Sequence, residues 1–305
     1  MSALVFGGLA VAAGVSAWYG LPGACLPIVK AGHRAAARLR ARRVGIGTHD
    51  VHYLAGGRGE TVLLLHGIFG EKDHWNDFAR HLTRARRVIA PDLPGFGASG
   101  RLADESYDYA AQVGRLEDFI DTLGLRELHV AGSSMGGTLA ALLALRRPQQ
   151  VRSVAFIGAP HGLRSPRSSA MDRLIDNGRA PLVPRSRAEF DEMIALLFER
   201  RPFLPYPVLH AARRQAVALA ASNLRLWHEQ LRDRYLLQQR LGGLRTRTAV
   251  FWGERDQLFD VSGMESLLCL LPAATARVLP GVGHLPMMEA PARAARLYAR
   301  FLAGT

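Results

Sequence analysis

The chain has 305 residues, 49% apolar and 21% charged, a make-up that supports a sizeable core and excludes a disordered or low-complexity protein. Its 39 basic and 26 acidic residues give a formal charge of +13. The excess is spread thinly as arginine without interleaved aromatics, so no nucleic-acid partner is expected. Two cysteines, Cys25 and Cys269, lie in apolar surroundings and read as small buried hydrophobes that say nothing about the redox compartment.

Residues 2–29 contain no charged side chain, and Ala3–Tyr19 is an apolar run at the short end of what crosses a bilayer. Trp18-Tyr19 suits the membrane–water interface, and Gly20-Leu21-Pro22-Gly23 breaks the helix. Lys30, Arg34, Arg38, Arg40, Arg42 and Arg43 follow, which on a helix would face anionic head groups. The expectation is a membrane anchor at 1–29 and a basic juxtamembrane segment at 30–43. Positive charge on the C-terminal side puts the folded domain on the cytoplasmic face. A cleaved signal, giving a secreted or periplasmic protein, and a core helix are the alternatives; a signal would want positive charge ahead of the apolar run.

From Val51 the pattern becomes alternating strands and helices. Val51–Leu54 is a short strand, and Thr61–Leu65 is a continuous apolar run suited to a strand covered on both faces. His66-Gly67-Ile68-Phe69-Gly70 ends it, a helix spans about Trp75–Leu82, and Arg87–Ala90 is the next strand. Val113, Leu116, Phe119, Ile120 and Leu123 recur at helical spacing between Tyr109 and Leu123. Leu128-His129-Val130-Ala131 then runs into Gly132-Ser133-Ser134-Met135-Gly136-Gly137 and a helix from Met135. Val151–Ile157, Ala249–Trp252 and Ala276–Leu279 add strands, and a last helix covers about Ala290–Leu302. Alternation of this kind implies a mostly parallel sheet with helices on both faces. Residues 160–243 read instead as helices, one with Phe190, Met193, Ile194, Leu197 and Phe198 on a face, and form an expected cap over the strand ends.

Gly132-Ser133-Ser134-Met135-Gly136 fits G-x-S-x-G. A serine in a tight strand-to-helix turn projects its hydroxyl into a cleft, while the helix behind aims its first N–H groups at a developing anion. Such a nucleophile needs a base, and the base needs an orienting group. His284, in Gly281-Val282-Gly283-His284 after the last strand, is the candidate base. Asp256, just past the strand ending at Trp252, is the candidate acid, with Glu254 and Asp260 as rivals. His161 precedes the acid and suits a cleft or structural role. The expected oxyanion donors are the N–H of Met135 and that of Ile68, with Phe69 as rival for the second. Phe69 and Met287 are candidate substrate contacts. An acyl-enzyme route of this kind needs no metal or organic cofactor.

His66-Gly67, Pro91-Asp92-Leu93-Pro94-Gly95-Phe96-Gly97, Gly132–Gly137, Gly253-Glu254-Arg255-Asp256 and Gly283-His284 together resemble the α/β-hydrolase superfamily. The resemblance spans about residues 44–304. It implies an α/β fold of the α/β-hydrolase type, with core segments 44–159 and 244–305 and an inserted helical cap at 160–243. More narrowly, the anchor, Ser134-Met135-Gly136-Gly137, Pro181-Leu182-Val183-Pro184 and Asp256–Gly263 are similar to membrane-bound monoacylglycerol lipases and bacterial lipase relatives. That similarity implies hydrolysis of acylglycerol or other lipid esters at a membrane. A carboxylesterase or thioesterase acting on soluble acyl substrates is the runner-up. A carbon–carbon bond hydrolase fits less well, because Ile68-Phe69 stands where that group has Ser-Gly. Epoxide hydrolases and haloalkane dehalogenases have aspartate in place of Ser134. A binding module that has lost its nucleophile is opposed by the complete triad. Oligomeric state stays open.

Overall fold

The computed structural model describes residues 15, 16 and 18–304. Most of Ala3–Tyr19, the apolar run of the expected 1–29 anchor, therefore lies outside the described residues. Among those described, no helix is long and apolar enough to cross a membrane. The expected break holds for one residue, Leu21, after which α1 runs over Pro22–Ala36 with proline in its first turn.

Eight strands form one sheet: β1 Leu39–Ile46, β2 His49–Gly56, β3 Thr61–Leu65, β4 Arg87–Pro91, β5 Leu128–Ser134, β6 Val151–Pro160, β7 Arg247–Gly253 and β8 Thr275–Leu279. Their order is β1-β2-β4-β3-β5-β6-β7-β8. β1 and β2 pair antiparallel, as do β2 and β4, and every other pairing is parallel. β1 corrects the expectation that 30–43 is one basic helical stretch. Arg40, Arg42 and Arg43 lie on this edge strand, where the outer positions stay exposed and only Leu39 and Ile46 are buried. An edge strand tolerates charge because one side of its ladder meets solvent.

The remaining helices of the core are α2 Asn76–Ala79, entered by a 3₁₀ turn at Lys72–Trp75, α3 Tyr109–Thr122, α4 Met135–Arg146, α10 Gly263–Leu270, α11 Pro286–Glu289 and α12 Pro291–Ala303. Between β6 and β7 lie α5 Ala170–Asp176, α6 Arg187–Leu197, α7 Tyr206–Ala218, α8 Ala220–Arg232 and α9 Leu236–Arg240. Strand residues alternate between two cores. Leu63, Val130, Phe156 and Trp252 join Phe119 and Leu139 on one face, while Leu64, Ala131, Ile157 and Phe251 join Trp75, Phe78 and Tyr298 on the other. Cys269 is not buried as expected but exposed on α10, and Cys25 is half-buried. The run Leu267-Leu268-Cys269-Leu270 wraps a helix, so only part of it can face the core; Leu267 takes that place.

The sheet order puts a switch point at β3, whose neighbours β4 and β5 depart to opposite sides. In open α/β sheets the ligand crevice opens beyond the strand ends at such a point. Here those ends are His66-Gly67-Ile68 after β3 and Ser134 at the end of β5.

Candidate active site

Ser134 closes β5 with φ 54° and ψ −121°, one of three described non-glycine residues with positive φ. This strained turn persists because neighbouring backbone fits it closely. A β-carbon on Gly132 would run into the carbonyl of Gly136, and one on Gly136 into the carbonyl of Leu65. Ser134 is 6% exposed and makes no side-chain cap to the first turn of α4, which opens at Met135. Ile68, Ser134 and Met135 line one cavity of about 520 Å³.

Asp256 lies in the turn after β7 and His284 in the loop after β8. Both are buried, and Oδ2 of Asp256 meets Nδ1 of His284 at 2.9 Å. The amides of Leu258 and Phe259 donate to Oδ1 of Asp256 at 2.9 and 3.0 Å, so the carboxylate is oriented from both oxygens. The rivals are engaged elsewhere. Glu254 accepts from the amide of Gly281, and Asp260 binds the amide of Ser262 and Arg167.

His161 stacks on Tyr109, and the two meet at 2.8 Å through the phenol oxygen and Nδ1. Burial lowers its pKa to about 4, so it is neutral near pH 7. The Phe259 ring stands between it and the candidate base, 5.8 Å from His161 and 5.3 Å from His284 between centroids. His161 and Phe259 both line the cavity.

The loop after β3 is held by His66 of the His66-Gly67 motif, to which the sequence reading gave no role of its own. His66 is fully buried. Its Nε2 accepts the amide of Leu93 at 2.9 Å, so Nδ1 carries the proton that it donates to the Gly67 carbonyl at 2.7 Å. Burial lowers this histidine to about 4 as well, which keeps that tautomer neutral. The loop stands against the nucleophile: a β-carbon on Gly67 would lie 3.2 Å from Cβ of Ser134. Glu289 was also missed. Its carboxylate accepts the amides of Gly283, Glu199 and Arg200 at 3.0, 3.3 and 2.8 Å, and the amide of His284 donates to Leu197, which ties the His284 loop to the end of α6. The one sequence signal for it was an acidic residue in the first turn of the helix after Gly283-His284.

Of the two candidate substrate contacts, neither lines the cavity. Phe69 packs instead against Phe96, the ring centroids 6.2 Å apart. Met287 is buried in the opposite core with Phe78 and Tyr298, because Pro286 starts α11 immediately after the His284 loop and turns the next side chain beneath the sheet. The lining comes instead from the cap and its approaches: Leu163, Met171, Ile175, Leu182, Trp227 and Leu231. A second cavity of about 640 Å³ lies within the cap and shares Ile175, Trp227 and Leu231 as a wall.

Residues 60–190 match the family pattern described as the alpha/beta hydrolase fold. A membrane phospholipase A, a bacterial virulence factor of known structure, is 37% identical, with a TM-score of 0.89 over 100% of this chain and 99% of that one. Monoacylglycerol lipase abhd6-B of Xenopus laevis is 29% identical over 283 residues, 88% of this chain and 84% of the relative. Lipase 1 of Psychrobacter immobilis is 29% identical over 237 residues, 76% of this chain and 73% of that one. With the fold, the switch-point crevice and these relatives in agreement, the chain belongs to the α/β-hydrolase superfamily, among its carboxylic ester hydrolases.

Proposed function

We propose that the chain cleaves acyl esters of lipids through an acyl-enzyme formed on Ser134. The Ser134 hydroxyl attacks the ester carbonyl while His284 takes its proton. Asp256 stabilises the resulting imidazolium. The amides of Ile68 and Met135 receive the oxyanion, and His284 then protonates the leaving alcohol. Water, deprotonated by the same histidine, releases the acid.

The observation that carries the lipid reading is the cavity above Ser134. Its apolar lining of Ile68, Met135, Leu163, Met171, Trp227 and Phe259 suits an acyl chain. Its polar lining residues, Arg164, Arg234, Asp172 and Asp176, suit a hydrated head group. The relatives named for monoacylglycerol and for phospholipid support the same class. Residues 1–29 act as the anchor in this reading, with the domain on the cytoplasmic side, the core at 44–159 and 244–305, and the cap at 160–243. Phe203, 89% exposed and preceded by Arg200 and Arg201, adds an apolar and basic contact that suits a lipid surface.

Three measurements test this. A fluorophosphonate probe should label the wild type and leave Ser134→Ala unlabelled; an unlabelled wild type sinks the serine mechanism. Glyceryl and aryl esters of increasing chain length, compared with lysophospholipids, should show kcat/KM rising with acyl length. A maximum at acetyl would favour the soluble-ester alternative. Removal of residues 1–29 should shift the protein out of the membrane fraction.

A further inference from the structure

The chain contains two lysines among its 39 basic residues, Lys30 and Lys72, and both stand in one charge cluster beside the candidate oxyanion loop. We propose that Lys30 and Arg34 of α1, acting through Glu71 and Asp73, are positioning residues that hold the 66–73 stretch in the geometry presenting the Ile68 amide to the oxyanion. This rests on the acyl-enzyme reading above and adds to it the N-terminal helix.

The stretch is gripped at both ends. At its start, His66 bridges the Leu93 amide and the Gly67 carbonyl, and the amide of Gly70 closes on that carbonyl at 3.0 Å. Between them Phe69 sits at φ 56°, a left-handed conformation that an aromatic residue adopts only when its surroundings enforce it. At its end, Asp92 accepts the Lys72 amide at 2.6 Å and the Lys72 ammonium at 2.5 Å. Asp92 is fully buried, and a compact ammonium reaches it where a planar guanidinium needs more room.

The outer half of the grip comes from α1. Lys30 Nζ lies 2.8 Å from both carboxylate oxygens of Glu71 and 3.5 Å from Asp73. Arg34 forms a two-pronged pair with Asp73, each bond 2.7 Å. Asn76 adds a third donor to Asp73, at 3.1 Å. Lys30, Arg34 and Lys72 thus face Glu71, Asp73 and Asp92, three charges of each sign. Burial alone would raise the Asp73 carboxyl, but the Arg34 bonds and the charges of Lys30 and Lys72 hold it at about 2. Its side chain is 8% exposed, so the pair with Arg34 is shielded from the screening that weakens surface ion pairs.

Without Arg34, the largely buried Asp73 carboxylate loses its two-pronged partner, and without Lys30 the half-buried Glu71 loses its ammonium; either moves toward water, taking residues 71–73 along. The strained turn at Phe69 then has a free end and relaxes. Displacing a catalytic group by about 1 Å costs roughly a hundredfold in rate, while substrate held in the cavity by its acyl chain is unaffected. α1 keeps its place meanwhile, because Tyr19 ahead of it packs against Tyr206 of α7, the rings tilted 50° with centroids 4.9 Å apart.

The test compares full-length wild type, Arg34→Ala, Arg34→Lys, Lys30→Met and Glu71→Gln in detergent micelles on a short aryl ester. Ser134→Ala serves as the blank. Expected is a kcat about tenfold to a hundredfold lower in Arg34→Ala, with KM within about threefold and Arg34→Lys restoring most of the loss. A trifluoromethyl ketone, whose tetrahedral adduct places its oxygen in the same hole, should bind weaker by the factor lost in kcat/KM. If Arg34→Ala does not fold, Glu71→Gln, which leaves Lys30 the Asp73 carboxylate at 3.5 Å, carries the same comparison, and Arg34→Lys stays the restoring control. A kcat within twofold of wild type overturns the proposal. So does a fall in melting temperature with ketone affinity unchanged, which marks a merely structural role. A wild type inert on every ester overturns the serine mechanism itself, a separate failure.

Discussion

At the residue scale, adjacent serines give opposite expectations. Ser134 projects from the turn into the cavity, whereas Ser133 is fully buried and its hydroxyl has no hydrogen-bond partner among the described residues. Ser133→Ala should keep full activity and raise stability by about 1 kcal/mol, because it removes an unsatisfied buried hydroxyl. Denaturant unfolding beside an ester assay reads both; loss of activity in Ser133→Ala would reassign the nucleophile. The roles proposed for Ser134, Asp256 and His284 were legible because each lies on a short Gly-flanked stretch directly after an apolar strand. Met287 was misleading for a geometric reason: adjacency to His284 in sequence says nothing about which side of the sheet a side chain reaches once Pro286 redirects the chain. Glu289 acts through backbone amides, and contacts of that kind leave no motif; His66 stood in the His66-Gly67 motif, but its grip on the Leu93 amide did not show there.

At the element scale, the strands from β3 to β8 and helices α3, α4 and α12 were readable from apolar runs and 3.6-residue spacing. β1 was not. Its sequence Leu-Arg-Ala-Arg-Arg-Val-Gly-Ile has four exposed positions in a row, so period-two alternation is weak and its arginines read as a helical basic face. The junction before it is tight: Arg38 has φ 57°, and its carbonyl occupies the place where a β-carbon on Gly56 would stand. Gly56→Ala should therefore destabilise the β1–β2 pair by about 1–3 kcal/mol. Arg38→Gly should instead stabilise the fold by up to about 1 kcal/mol, since it removes left-handed strain. Melting curves of the two variants check both signs. Gly136→Ala would push into the β3 carbonyls and is expected to leave no soluble, active protein; normal expression would refute the close packing of α4 against β3.

For the whole molecule, buried bases and a buried acid set two acid-sensitive windows. His66 and His161 are held neutral by burial, down from 6.5 to about 4. Between those values the unfolded chain binds protons that the folded one refuses, so stability is full above pH 6.5 and falls toward pH 4. Each histidine contributes a slope of about 1.4 kcal/mol per pH unit. Asp73 acts lower, in stability present above 3.8 and lost as pH falls toward about 2. Urea unfolding across pH 4–8 should show the upper slope reduced by about 1.4 kcal/mol per unit in His161→Gln. An unchanged slope would mean that His161 titrates freely in the folded protein. What the sequence left unreadable at this scale is how α1 meets the core, because ion pairs such as Arg34 with Asp73 join residues 39 apart that share no pattern. That union, with two residues between the end of α1 and the start of β1, gives the N-terminal segment the character of a bracket rather than a leash. A leash would let α1 swing away from the domain behind it. A bracket fixes the bearing of α1 against the loop that floors the cleft, so the mouth above Ser134 and the axis of α1 turn as one piece.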